Sequence, residues 1–314
     1  MKSFMETILS FPDLCDESIK IFEKTNLPNY EFDNVVIGGV GGSAIAGDLL
    51  RDLLKNEFDK PIDIYSDYKL PKVVNEKTLF ICISYSGNTE ETLSQFVEAL
   101  KRKCKTIVVT SGGKLKEWSV KLNVPIISLH EGYLPRESII LLFVTLALYF
   151  GKILGKNFES DVREAANSIH RANLHELDAI AEICDDKQIA IYSAHDYFGV
   201  VHRFKNDLNE DAKVPVMWQT FPEMDHADIV AFESVLTKNY VALFIRDKNE
   251  SFEMQKRIQI TKEIIHNSVG SVNDIWSDGN SKISKILSFV FKSGYLAGRI
   301  AELRGIDPGE TKFI

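Results

Sequence analysis

The stretch Leu79-Phe80-Ile81-Cys82-Ile83-Ser84-Tyr85-Ser86-Gly87-Asn88-Thr89-Glu90-Glu91-Thr92 decides how this chain is read. Five apolar residues in succession, bounded by turn formers, predict a strand buried on both faces, as a parallel sheet requires. Ser84, Ser86 and Thr89 then crowd hydroxyls around Gly87-Asn88, which lets the backbone turn tightly. Leu93, Phe96, Val97 and Leu100 follow with helical spacing and lie on one face. The hydroxyls and backbone amides therefore fall at a helix N-terminus, where the macrodipole favours an anion. A single N-capping hydroxyl accounts for one of the three, not for all, so the cluster is read as a phosphate cradle.

Working outward, strands are expected at Asn34–Ile37, Pro61–Ser66, Thr106–Thr110 and Pro125–Leu129, with helices between most of them. An amphipathic helical lead-in runs to about Tyr30, and Arg136 is expected to open the long apolar helix that closes the first domain. Helical periodicity covers Asp161–Ile183, with His170 and His175 on a mostly polar face. Strands then recur at Gln188–Ser193, Val214–Trp218, Tyr240–Arg246 and Val272–Trp276, between helices over Tyr197–Glu210, Ser251–His266 and Lys282–Arg304. Such alternation predicts an α/β fold with parallel sheets, here two doubly wound domains in tandem. They are expected at residues 1–153 and 154–314, with the hinge somewhere in 150–185.

The bulk properties narrow the function. A 314-residue chain with 45% apolar and 26% charged residues is an ordinary globular protein. Its net charge of −8, without a basic stripe, argues against nucleic acid as a partner. The N-terminus lacks a signal-peptide pattern and the longest apolar run, Ile139–Phe150, is too short to span a bilayer. The expectation is a cytoplasmic protein without a membrane segment. Cys15, Cys82, Cys104 and Cys184 show no paired spacing and read as buried thiols.

Gly39-Val40-Gly41-Gly42-Ser43-Ala44 matches the loose dinucleotide pattern, and Asp67 lies where a ribose-binding acid would. A nicotinamide-dependent dehydrogenase therefore competes. Against it stands the hydroxyl cluster, for which a dinucleotide fold has no use. In the second half, Asn209-Glu210-Asp211-Ala212-Lys213 ends a helix, and Phe221-Pro222-Glu223-Met224-Asp225-His226-Ala227-Asp228 forms a polar loop. Acids alternating around one His favour acid–base chemistry over a metal site. No Ser-His-Asp or Cys-His arrangement supports covalent hydrolysis.

Val36–Ala44 and Ile83–Thr92 resemble the two signatures of sugar isomerase (SIS) domains. Asn209-Glu210-x-Ala212-Lys213, with His226 sixteen residues after the Glu, resembles the bifunctional phosphoglucose/phosphomannose isomerases. The resemblance runs from about residue 30 to the C-terminus. It implies a cofactor-free and metal-free isomerase of glycolysis and gluconeogenesis, acting on glucose 6-phosphate, mannose 6-phosphate and fructose 6-phosphate. By that resemblance Ser84, Ser86 and Thr89 bind the phosphate, while Gly42 and Ser43 line the sugar. Arg136 steadies the enediolate, and Glu210 moves the proton. His226 assists ring opening from the partner subunit of a homodimer. Family members carry a longer tail in which a Thr is followed by a ring-opening Lys. Here Thr311 matches, the Lys does not, and Lys312 is the available substitute. Asp228 stands where the family commonly has Glu. A non-catalytic phosphosugar sensor and an isomerase of another sugar phosphate are the alternatives.

Overall fold

The computed structural model describes residues 3–313. The chain runs α1 (Phe4–Leu9), α2 (Phe11–Glu23), β1 (Asn34–Gly38), α3 (Gly42–Leu54), β2 (Ile62–Tyr65), β3 (Thr78–Ile83) and α4 (Glu90–Lys101). It continues through β4 (Lys105–Thr110), α5 (Gly113–Lys121), β5 (Ile126–Ser128), α6 (Ile139–Leu154), α7 (Phe158–His170) and α8 (His175–Ile183). The second half holds β6 (Gln188–Ala194), α9 (Phe198–Glu210), β7 (Val216–Phe221), α10 (Asp228–Ala231) and β8 (Tyr240–Arg246). It ends with α11 (Phe252–Ile265), β9 (Ser271–Trp276) and α12 (Lys282–Leu303).

Two compact units result: residues 12–163, and residues 3–11 with 164–313. The first sheet is wholly parallel in the order β2-β1-β3-β4-β5, and the second, also parallel, in the order β7-β6-β8-β9. Renumbered from its own first strand, the second order is 2-1-3-4, so the halves share one topology. The fold is α/β, two doubly wound parallel-sheet domains in tandem.

The division differs from a single cut at 153/154, and side chains explain why. Arg163 pairs with Asp16 and Glu159 of the first unit, at 3.3 and 2.8 Å. The next residue, Glu164, accepts hydrogen bonds from the Asn280 and Ser281 amides, which precede α12. Helix α1 joins the second unit because α12 leaves room for it at Gly294. A Cβ there would stand 2.7 Å from Ile8 Cδ1.

Each sheet carries its own core. Val36, Phe80, Phe96, Val108 and Leu115 pack together in the first unit, and Tyr192, Phe221, Phe244, Ile258 and Ile265 in the second. Helix α6 is buried from Ile139 to Gly151 and packs on α3. Its apolarity thus serves a core: among the described residues no helix is long and apolar enough to cross a membrane. All four cysteines are free and buried. Burial pushes the Cys15 and Cys184 thiols up to about 12 and Cys104 to about 11, so they stay protonated and inert.

Four sequence expectations shift. The lead-in is two helices ending at Glu23, not one reaching Tyr30. The 161–183 periodicity breaks between α7 and α8, where Asn173 Oδ1 accepts from the His175 amide at 3.2 Å. Strand β7 begins at Val216 rather than Val214, because the Val214 amide is bonded to Leu208 O at 3.0 Å and Pro215 has no amide. Arg136 does not open α6, which starts at Ile139. It lies in a preceding turn closed by the Glu137 and Ser138 amides on Leu134 O, at 2.9 and 3.2 Å.

Candidate active site

Strand order makes the first site. In a 2-1-3-4-5 sheet the connections after β1 and β3 leave toward opposite faces, which opens a crevice at their carboxyl ends. β1 and β3 pair directly, Gly38 beside Cys82, so the Gly-rich loop and the hydroxyl loop emerge side by side. A Cβ at Gly39 would stand 3.0 Å from Ile83 O. Helices α3 and α4 both begin here, the first with Gly41 as its N-cap and Gly42 and Ser43 as its first residues. Neither N-cap side chain bonds its own helix, so both N-termini keep their anion-attracting character.

The three hydroxyls differ. Ser84 is buried, bonds Thr89 Oγ1 at 2.9 Å and accepts from the Gly87 amide at 3.1 Å, so it shapes the loop. Thr89 occupies the N-cap position of α4 without capping it; its oxygen lies against Ser84 Oγ, and with Ser84 as the donor the Thr89 O–H is left for a ligand. Ser86 is exposed. Gly87 has φ +69°, and a Cβ there would meet Gly112 O at 1.8 Å, so no other residue fits this turn.

Arg136 is brought to the same crevice. A Cβ on Gly42 would lie 3.4 Å from Pro135 O and 3.7 Å from Arg136 Cα. Arg136 is buried, as is its neighbour Glu137. Burial raises the Glu137 carboxyl above its ordinary range, against the Leu134 amide and Arg136, which lower it. Asp67, the ribose acid of the dinucleotide reading, takes the Gln95 side chain on its main-chain oxygen at 2.6 Å, and its carboxylate accepts from the Tyr68 amide at 2.5 Å.

Glu210 is the last residue of α9, half-buried at the amino-terminal edge of the second sheet. Next to it, a cleft of about 670 Å³ is lined by Asn209, Lys213, Asp307, Glu310 and Lys312 among others. Lys213 Nζ donates to Glu210 O and, at 2.7 Å, to Glu310 O. That places a cation on the helix's terminal carbonyl and fastens the C-terminal tail to it. The tail turns at Asp307, whose carboxylate accepts from the Gly309 amide at 2.8 Å, and Thr311 and Lys312 follow within the same region. Lys213 and Asn209 were not singled out by sequence, although both sit inside the motif around Glu210.

One turn before Glu210, Asp207 is fully buried, paired with Arg203 at 2.7 Å and bonded by Ser293 Oγ at 2.6 Å. Burial pushes the Asp207 carboxyl up, against the pull of Arg203 and Ser293. This buried polar set fixes α9 on α12, and with it the position of Glu210.

His226 lies elsewhere. It follows the turn Glu223–Asp225 beyond the carboxyl end of β7, and it is exposed. Asp225 holds this loop on α11 through Arg257 at 2.9 Å and Thr261 Oγ1 at 2.8 Å. Since α9 ends at the start of β7, Glu210 and His226 of one chain are separated by the length of that strand. Six residues of strand span about 17–20 Å. Asp228 opens α10, and burial, with Glu223 nearby, raises its carboxyl. Among the described residues, no three His, Cys, Asp or Glu side chains converge as a metal site would need.

The equivalent switch point of the second sheet, between β6 and β8, is filled. Tyr197 Oη and Lys285 Nζ both donate to Asp247, at 2.5 and 2.8–3.1 Å. Burial alone would raise Asp247, but Lys285, Tyr197 and the Asn249 amide outweigh it and hold the carboxyl below its usual range. This half therefore keeps the topology of a ligand crevice with its own side chains occupying it.

Comparison with known proteins gives the family. The sequence profile of the bacterial phospho-glucose isomerase C-terminal SIS domain fits residues 175–314. A bifunctional phosphoglucose/phosphomannose isomerase of Thermoplasma volcanium is 32% identical over 99% of this chain and 97% of its own. One of Caldicellulosiruptor bescii is 31% identical over 98% and 96%. The chain belongs to the bifunctional phosphoglucose/phosphomannose isomerase family. The SIS fold extends further than the family does. The C-terminal domain of glucosamine-fructose-6-phosphate aminotransferase from Francisella tularensis superposes with a TM-score of 0.79 at 14% identity, covering 99% of both chains. Tagatose-6-phosphate ketose/aldose isomerase from Escherichia coli gives 0.73 at 13%, covering 99% of this chain and 96% of that one. A shorter match, 31% identical over 68% of each chain, is a D-glucosamine-6-phosphate 4-epimerase of Sulfolobus acidocaldarius.

Proposed function

We propose that the protein is an aldose–ketose isomerase that interconverts glucose 6-phosphate and mannose 6-phosphate with fructose 6-phosphate. The full-length relation to enzymes of that name carries the reading. Ser86 and Thr89 hold the phosphate, with Ser84 shaping their loop, and Gly42 and Ser43 line the sugar. Glu210 takes the proton from C2 of the open-chain aldose and returns it to C1, while the proton of the C2 hydroxyl passes to the C1 oxygen. The electron pair left on C2 forms the enediolate, whose oxygens Arg136 steadies. Glucose and mannose differ only at C2, which is planar in the enediol, so both give the same intermediate. Lys312, with Thr311, and His226 are the groups for ring opening. No step calls for a metal or an organic cofactor.

The separation of Glu210 from His226 supports the rest of the proposal. A His about one strand length from its own chain's Glu can serve the Glu of a second chain, so the active unit is a two-fold homodimer with shared sites. It works in the cytoplasm, in glycolysis and gluconeogenesis.

A coupled assay with purified protein and each hexose 6-phosphate tests the activity; no turnover of glucose 6-phosphate or mannose 6-phosphate refutes it. The epimerase relative motivates a second reading, which glucosamine 6-phosphate in the same assay decides. Two predictions arise here. Ser86→Ala and Thr89→Val each remove a donor to a dianion, a contribution of roughly 1.5–3 kcal/mol, about ten- to hundredfold. KM for sugar phosphates should rise accordingly with the fold intact; unchanged KM in both removes the loop from the site. For the assembly, mixing inactive Glu210→Gln and His226→Ala proteins should restore activity as subunits exchange. Full activity in a demonstrated monomer counts against the shared site.

A further inference from the structure

We infer that Tyr85 is a positioning residue that holds the Arg136 turn in register with the phosphate loop; its kinetic consequence rests on the isomerase reading above. Tyr85 stands between Ser84 and Ser86, yet its ring points inward and only 5% of the residue is exposed. Its hydroxyl donates to His130 O at 2.8 Å and accepts from the Tyr133 amide at 3.2 Å. Its main-chain oxygen accepts from the Ser111 amide at 3.0 Å, Ser111 Oγ at 2.7 Å and Thr110 Oγ1 at 3.4 Å. One residue of the phosphate loop thus ties the loops that follow β3, β4 and β5.

The tie leads to Arg136 in short steps. The Leu134 amide, next after Tyr133, donates to the Glu137 carboxylate at 3.0 Å. The Glu137 and Ser138 amides return to Leu134 O, and Ser138 Oγ donates to Pro135 O at 2.7 Å. Arg136 is enclosed in this turn, its backbone against Gly42. On the outer side Glu17 of α2 bonds His130 Nδ1 at 2.5 Å and Tyr133 Oη at 3.4 Å. Only a tyrosine gives and takes a hydrogen bond at this reach. Burial raises the Tyr85 hydroxyl pKa, which keeps the proton that it donates to His130 O.

The test is Tyr85→Phe, which keeps the ring and deletes one atom. Amide exchange of residues 130–137 should accelerate about tenfold on losing one hydrogen bond, with β3 and β4 unchanged. In the same variant kcat for hexose 6-phosphate isomerisation should fall about tenfold while KM moves less than about twofold. This is the reverse of the Ser86→Ala pattern. In an Arg136→Met background the further loss of kcat from Tyr85→Phe should be under about twofold, because the two act through one chain of contacts. Unaltered exchange over 130–137, a change confined to KM, or a full multiplicative loss in the Arg136→Met background overturns the inference. If the unmodified protein turns over no sugar phosphate, the isomerase reading falls. The exchange measurement then still decides whether Tyr85 holds the turn.

Discussion

Glu210→Gln is expected to lower kcat by about 10²–10⁴-fold or more, the usual contribution of a general base, while sugar phosphate still binds. The amide keeps the shape of the side chain and cannot take a proton from C2. Its main-chain oxygen still accepts from Lys213, so the end of α9 and the tail that Lys213 fastens should stay in place. The loss should therefore appear in kcat with little change in melting temperature. In deuterated water the unmodified enzyme should place label at C2 of glucose 6-phosphate, except where the proton is carried over internally. A chelator should leave the rate as it was. Near-native turnover in Glu210→Gln, or activity lost to chelator and restored by zinc, would defeat the mechanism.

The second large effect concerns the support beneath that carboxylate. Arg203→Met leaves Asp207 in a fully buried position without its cation, and breaking a buried pair costs about 3–5 kcal/mol. That approaches the whole stability of many domains, so a sharp fall in the urea midpoint is expected. Replacing both partners, Arg203→Met with Asp207→Leu, should recover most of the loss, because no charge is then stranded. Activity should remain low in the double variant, since Ser293 no longer holds α9 through Asp207. A single variant as stable as the parent would mean that the pair contributes nothing to holding the helix.

Much of this protein was legible from local pattern. Tyr240–Arg246 is the strand its apolar run predicts, and the strand ending at Ile83 feeds a tight turn and a helix as its residues demand. Strand periodicity and turn chemistry depend on neighbours a few residues away, so sequence alone determines them. It determined the tandem parallel sheets and the hydroxyl loop in the same way.

Other features depend on residues far apart in the chain, and only tertiary structure decided them. Helix α1 belongs with the second unit because a Gly on α12 admits Ile8, a pairing no local window contains. Arg136 reaches the crevice between the β1 and β3 loops through a turn tied to Tyr85 about fifty residues earlier, and its register comes from those bonds rather than from a helix start. The second switch point has the same strand order as the first but is closed by Tyr197, Asp247 and Lys285. Glu210 and His226 are near in sequence and are set apart by the full length of β7, because a strand travels about 3.3 Å per residue. Sequence named both groups. The direction of one strand decided that they lie at its opposite ends.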